Sequence, residues 1–344
     1  MTDISQTSLQ PPLALVLGAT GGVGGALAKA LLKRGYRVRA MHRRPKPQSS
    51  THPAYEWVGG DAMCASDVLA AAQGASVIVH GVNPPGYQHW GELVLPMIDN
   101  TIAAAKAVGA RILMPGTIYN FGPETFPLLS EDSPQRPQTV KGRIRVELEH
   151  RLEQAADEGV PVIILRAGDF FGPYAGNNWF AQAMVQPGKP VRFVLNPGRR
   201  GVGHAWAYLP DVAETFMRLL DAAHALPRFA RFHMNGFFDH DGVQMAEAIG
   251  RAVGRPEIFT LGFPWTLAGL ARPFVPFLKE LHEMRYLWRE TIRLDNSRLV
   301  AFLGEEPHAP IDIAVQTTLR SLGCMSGHSA AAAEPVPLSQ GVSR

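Results

Sequence analysis

Cysteine is nearly missing from this chain: 344 residues contain only Cys64 and Cys324. The two stand far apart and form no CxxC or Cys/His spacing, so a disulfide framework is excluded and no metal site is expected; such usage suits a reducing compartment and points to the cytoplasm. Charge is scarce as well, 18% Asp, Glu, Lys and Arg with a net of +3. No Lys/Arg run interleaved with aromatics occurs, so nucleic acid is not an expected partner. The most apolar late stretch, Leu261 to Leu278, carries Arg272 and three prolines. It therefore reads as a helix pair covering a pocket or an oligomer face and not as a membrane span. The opening MTDISQTSLQ lacks the basic start and apolar core of a secretion signal, and a short frayed arm is expected over 1–11.

What the chain does have is apolar material, 46% of its residues, enough for one large core or a core with a smaller satellite. Over the first 170 residues short apolar runs alternate with helical patterns, the sign of a parallel sheet covered on both faces. Strands are expected at Leu13 to Leu17, Tyr36 to Met41, Tyr55 to Val58, Ser76 to His80, Arg111 to Met114 and Val162 to Leu165. Helices are expected at Val23 to Arg34, Ser66 to Gln73, Glu92 to Val108 and Val140 to Glu158. The expectation is an α/β, Rossmann-type doubly wound sheet of six parallel strands over 12–175. A substrate-binding region over 176–324 follows, in which Asp211 to His224 returns to the main domain as a helix and helices are read at Gly242 to Val253 and Glu280 to Arg289. The last residues, 325–344, are small, polar and proline-bearing, and read as a disordered tail.

The strongest local signal is Gly18-Ala19-Thr20-Gly21-Gly22-Val23-Gly24, placed between a buried strand and a helix. Gly18 permits a tight turn, Gly21 lets the backbone approach a pyrophosphate, and Gly24 allows close packing of helix and strand. The free N–H groups and positive dipole end of the helix then face the phosphates. Strand two ends in Met41-His42-Arg43-Arg44 with no acid to accept from a ribose 2′-hydroxyl. Arg43 can pair with a 2′-phosphate, so NADP is the expected cofactor, with NAD the alternative. Asp61, in Gly60-Asp61-Ala62, is placed to meet the adenine amine, and Val79 to Asn83, including Val82, to line the far side of the cofactor.

With these residues the chain resembles the short-chain dehydrogenase/reductase superfamily, in its extended, epimerase/dehydratase-like branch, over about 12 to 323. The resemblance rests on the glycine loop, Gly60-Asp61-Ala62, the segments MPGTIYNFGP and LRAGDFFGPYAG, and AYLPDVAETF. It implies that Thr117 binds a substrate oxygen and that a Tyr-x-x-x-Lys pair follows on the fifth helix. The chain departs here: Lys141 stands at the tyrosine position and Arg145 at the lysine position. A guanidinium keeps its charge and can hold ribose hydroxyls. Lys141 can donate a proton if burial and the nearby cation favour its neutral form, and Tyr119 is a second candidate acid. The resemblance further places Asp169 between nicotinamide and substrate, Asn177, Asn178 and Trp179 in a closing loop, and His204 where sugar-nucleotide epimerases carry an arginine. It also suggests a homodimer formed through two helices. Three functions stay open: an NADP-dependent reductase or epimerase acting on a small carbonyl or hydroxyl compound, a cofactor-binding sensor without turnover, and a non-redox lyase or isomerase.

Overall fold

A computed structural model describes residues 10–84, 89–176, 178–271 and 282–325. Leu13–Leu17 (β1) is buried along its whole length and is the third strand from one edge of a seven-stranded parallel sheet. The chain first winds to one side of it through Gly22–Lys33 (α1), Arg37–His42 (β2), Pro45–Thr51 (α2) and Glu56–Gly59 (β3). It then crosses by Ala65–Ala72 (α3) to Ala75–His80 (β4) on the other side of β1, and continues through Trp90–Val108 (α4) to Arg111–Gly116 (β5). A two-residue strand, Leu128–Leu129 (β6), and the helix Val140–Asp157 (α5) lead to Val162–Arg166 (β7), which pairs with β5. The winding direction reverses between β1 and β4, and in such sheets the crevice outside the carboxyl ends at that point takes the ligand.

Strand residues alternate between two cores, as a pleated strand requires. Leu13, Leu15 and Leu17 of β1, Ile112 and Met114 of β5, and Val162 and Ile164 of β7 pack with α3, α4 and α5. Ala14, Val16, Leu113, Ile163 and Leu165 point to the opposite face, against α1 and the helix Leu209–Asp221 (α6). Near-continuous apolar strands are what a sheet buried on both faces needs.

Beyond β7 the structure adds elements that alternation did not reveal. Asp169–Phe171 (β8), Val194–Asn196 (β9) and His204–Tyr208 (β10) precede α6, and Phe229–His233 (β11) then adds itself beside β7 as a seventh strand. The expected count of six strands is thus one short. The segment FARFH places Arg231 and His233 in polar surroundings, so it does not read as an apolar run. Phe237–Asp239 (β12), with β8 on its other edge, flanks β10 in a second, three-stranded sheet. Gln244–Ala252 (α7), the short strand Thr260–Gly262 (β13) and the helix Ile311–Ser321 enclose a third apolar cluster of Phe171, Phe180, Trp206, Trp288 and their neighbours. Of the expected helix Glu280 to Arg289, the described part forms a 3₁₀ turn at Met284–Trp288. Trp265–Ala271 (α8) is the described portion of the expected late helix pair. The tail, 326–344, and the arm up to residue 9 lie outside the described residues. Among those described, no helix is long and apolar enough to cross a membrane.

Candidate functional site

The sheet's carboxyl ends open on a cavity of about 240 Å³. One wall is backbone. The Gly21 N–H returns to the Gly18 carbonyl at 2.9 Å, which turns the chain sharply from β1 into α1. Gly18 adopts φ +86°, and a Cβ there would run into the Gly81 carbonyl at the end of β4. A Cβ on Gly24 would overlap the Gly18 carbonyl. Both glycines are therefore required by the close approach of β1, β4 and α1. Gly21 is different: its Cβ would meet only the Gly18 oxygen, at 3.3 Å, and otherwise opens on the cavity. No side chain caps α1, so the N–H groups of Gly22, Val23 and Gly24 in its first turn have no intrahelical acceptor. This cradle, empty where a side chain on Gly21 would stand and rimmed by free donors, fits a pyrophosphate.

The glycine-loop residues divide accordingly. Gly21, Gly22, Val23 and Val82 line the cavity, Thr20 is exposed at its edge, and Gly18 and Gly24 form the joint beneath. Arg43 is exposed beyond β2, while His42 Nδ1 accepts from the Arg44 N–H at 3.0 Å. Asp61 lies beyond β3; its Oδ1 accepts from the Met63 N–H at 3.0 Å, which leaves Oδ2 for a ligand, and Ala62 is buried beside it. These four stand outside the cavity lining, over the ends of β2 and β3.

The opposite wall is made of side chains. Thr117, which follows β5, lines the cavity together with Tyr119, Trp90, Asn83, Arg145, Asp169, Asn178 and Trp179. The Thr117 hydroxyl donates to Asn120 Oδ1 at 3.3 Å, leaving its lone pairs for the cavity. Asn120 is fully buried; its amide donates to Gln135 at 2.9 Å and to Glu149 at 3.0 Å. Glu149 in turn receives both arms of the Arg166 guanidinium, and Arg166 reaches His233 Nε2 at 3.1 Å. Burial, and then the charge of Arg166, lower the His233 pKa to about 3, so this imidazole is neutral and its Nδ1–H donates to the Leu129 carbonyl at 3.1 Å.

Helix α5 carries Lys141, Arg145 and Glu149 at intervals of four, all on one buried face. Thr139 caps the helix by accepting from the Gly142 N–H at 2.9 Å. Arg145 reaches the cavity, donates to Asn83 Oδ1 at 3.1 Å and lies over the Trp90 ring at 4.9 Å. Lys141 does not line it. Its ammonium is 2.6 Å from Glu283 Oε2, whose other oxygen accepts from the Val140 N–H at 2.7 Å. Lys141 is thus tied by an ion pair to the C-terminal region, while Thr117 lines the cavity. A carboxylate 142 positions away leaves no local trace in the sequence.

Two further residues were not singled out in sequence. His80, at the end of β4, lines the cavity; Thr101 donates its hydroxyl to the Met97 carbonyl at 3.0 Å, so it accepts from His80 Nδ1–H at 2.8 Å. Burial first and the Arg145 charge second lower the His80 pKa to about 3, which leaves Nε2 as a bare acceptor. Both His80 and Asn83 were covered only as part of the strand end Val79 to Asn83. Of the expected substrate residues, Asp169, Asn178 and Trp179 line the cavity, and Asn177 lies outside the described residues. His204 does not line it but bonds to Asp169, at 2.8 Å.

The comparisons with known proteins agree with this geometry. The chain is 27% identical to the uncharacterized protein y4nL of Sinorhizobium fredii over 291 residues, 76% of this chain and 80% of that one. It is 32% identical to a 3-diazoavenalumate denitrifying reductase of a Streptomyces species over 180 residues, 47% of this chain and 57% of the relative. In structure it superposes on the UDP-glucuronic acid 4-epimerase of Bacillus cereus, solved in complex with NAD, with a TM-score of 0.71 and 17% identity, covering 93% of this chain and 99% of that one. The UDP-N-acetylglucosamine 4-epimerase of Bacillus cereus gives 0.69 and 16%, over 92% and 100%. The family model described as NAD dependent epimerase/dehydratase matches residues 14–232. With its glycine joint, its sheet reversal and this match over most of its length, the chain belongs to the NAD dependent epimerase/dehydratase family, a family of nicotinamide-dependent oxidoreductases.

Proposed function

We propose that the protein is an NADP-dependent reductase of small, uncharged carbonyl compounds. The observation that carries this reading is one cavity with the phosphate cradle of Gly21 to Val23 at one end and Thr117, Tyr119 and Asp169 at the other. The cofactor, when bound, supplies a hydride from its nicotinamide ring. The chain's residues then have separable tasks. Gly22, Val23 and Gly24 would donate to the pyrophosphate; Arg145, anchored by Asn83, would hold ribose hydroxyls; Thr117 would accept from the hydroxyl of the alcohol product through the lone pairs that Asn120 leaves exposed. Trp90, Tyr119 and Trp179 exclude water around the reacting carbon and offer flat faces to an unsaturated or aromatic substrate. Arg43 selects the 2′-phosphate.

Two features favour an uncharged substrate over a nucleotide sugar. A carboxylate, Asp169, occupies the substrate side, and His204 at the expected anion-pairing position is already bonded to it. The relative that is named a reductase leans the same way. The test is oxidation of NADPH, followed by absorbance, against a panel of aldehydes, ketones and enones. Turnover of at least one class supports the reading. Tight NADPH binding with no turnover across the panel favours the second one, a sensor, for which the burial of Lys141 against Glu283 is the specific observation.

A further inference from the structure

The strands β8 and β10 pair in parallel with Trp206 opposite Asp169. His204 lies two residues before Trp206, so it projects from the same side of the sheet as Asp169. Its ring is stacked on Trp288, with centroids 3.8 Å apart and planes 7° from parallel, and meets Trp206 edge-on at 5.0 Å. Held there, Nε2 is 2.8 Å from Asp169 Oδ2 and Nδ1 is 3.2 Å from the Leu287 carbonyl. A carbonyl only accepts, so Nδ1 carries a hydrogen. Two acceptors 2.8 Å apart would repel, so a second hydrogen lies between Nε2 and Oδ2. The reversed ring would put two C–H groups against these oxygens and lose both bonds. Asp169 faces the cavity, while the His204 side chain, 7% exposed, stands behind it.

We infer that Asp169 and His204 hold an imidazolium–carboxylate pair beside the cavity and that Asp169 relays the proton of His204 Nε2 to the substrate oxygen, the task the family's tyrosine position no longer serves here. The inference rests on the reductase reading. With the hydride that a bound reduced nicotinamide would supply, the carbonyl carbon would gain its new C–H bond and the C=O π pair would move to oxygen. The oxygen takes a proton from the Asp169 carboxyl, which receives it from His204 Nε2. The pair is left as a carboxylate and a neutral imidazole protonated at Nδ1, and water restores the proton after release. Asp169 is the catalytic residue and His204 a positioning residue that acts through it. Two phenols are the rivals. Tyr286 is held protonated by burial first and by the charges of Glu283 and Asp169 after it, and it does not line the cavity; Tyr119 does line it.

The experiment has two readouts on the full chain saturated with NADP. The first is the ring nitrogen spectrum of His204 at pH 7 in histidine-labelled protein, assigned by difference from His204→Gln. The inference expects both nitrogens protonated in the unmutated protein, and an Nε2 moved to the lone-pair position in Asp169→Asn. A lone-pair Nε2 in the unmutated protein, or no change in Asp169→Asn, overturns it. The second is NADPH-dependent reduction of 4-nitrobenzaldehyde as probe. Asp169→Asn should lower kcat about 100-fold, the ordinary yield of a placed acid, with KM and NADPH affinity within a few fold. His204→Gln should lower kcat about tenfold with KM unchanged. Undiminished kcat in Asp169→Asn, or a larger loss of kcat in Tyr119→Phe than in Asp169→Asn, overturns the inference and leaves the reductase reading standing. Absence of NADPH oxidation by the unmutated protein with this aldehyde and the whole carbonyl panel overturns both.

Discussion

The two walls of the cavity are built from different material. The cofactor wall is backbone: β1, β4 and α1 approach so closely that Gly18 and Gly24 admit no side chain, and the ligand's partners are N–H groups that every residue has. The substrate wall is side chain: Thr117 is held by Asn120, Asn120 by Glu149, and Glu149 by Arg166, each link a specific pairing of polar groups away from water. A backbone wall can be kept only by keeping glycine. A side-chain wall can trade one pairing for another while the fold around it persists.

The contrast predicts how each wall breaks. The largest loss should follow Arg166→Met. It leaves the Glu149 carboxylate buried, with the Asn120 amide and a more distant Arg231 as its remaining partners. Removing one member of such a pair costs about 3–5 kcal/mol. Urea unfolding measures it, and a loss below 1 kcal/mol would mean that the substrate wall is far less interlocked than its bonds indicate.

Acid should come next. His80 and His233 have folded pKa values of about 3 against an ordinary 6.5, so between those limits the unfolded chain binds the extra protons. Stability is therefore complete above pH 6.5 and falls as the pH drops toward 3, by about 1.4 kcal/mol per pH unit for each histidine. Unfolding followed from pH 7 to 5 gives the slope, and His80→Asn should flatten it by close to one proton.

On the backbone wall, Gly24→Ala should cost about 1–3 kcal/mol, because the new methyl overlaps the Gly18 carbonyl and neither strand end can move away. Gly21→Val gives the complementary result: nearly unchanged stability, and no calorimetric binding of NADPH or NADH. If Gly21→Val still binds either one, the cradle is not the phosphate site. The smallest effect is expected at the exposed rim, where Arg43→Ala should weaken NADPH about tenfold, roughly 1.4 kcal/mol, and leave NADH alone. Equal affinities for the two cofactors in the unmutated protein would remove Arg43 as the selector.

The difference between the walls also explains what could be read in the sequence. The glycine spacing, the buried strand before it and the helix after it are local, and the structure places them close to expectation, with the helix at 22–33 against an expected 23–34. The strand Phe229–His233 was missed because Arg231 and His233 are bound to Glu131 and neighbouring carbonyls, which hides the strand behind polar letters. Thr117, Arg145 and Asp169 were legible through the segments that carry them. The state of Lys141 was not, since it depends on Glu283, and neither was the bond between Asp169 and His204, which depends on how two short strands align.

The spacing of Lys141, Arg145 and Glu149 has a mechanical consequence. Four residues of helix advance about 6 Å, so the three charges stand on one line like evenly spaced hooks. Each hook catches a different part of the molecule: Glu283 of the C-terminal region, Asn83 after β4, and Arg166 at the end of β7. Helix α5 thereby works as a clasp that fixes the spacing of three structural parts at once. Removing one hook leaves the helix still held at the other two, so no single substitution among the three frees α5.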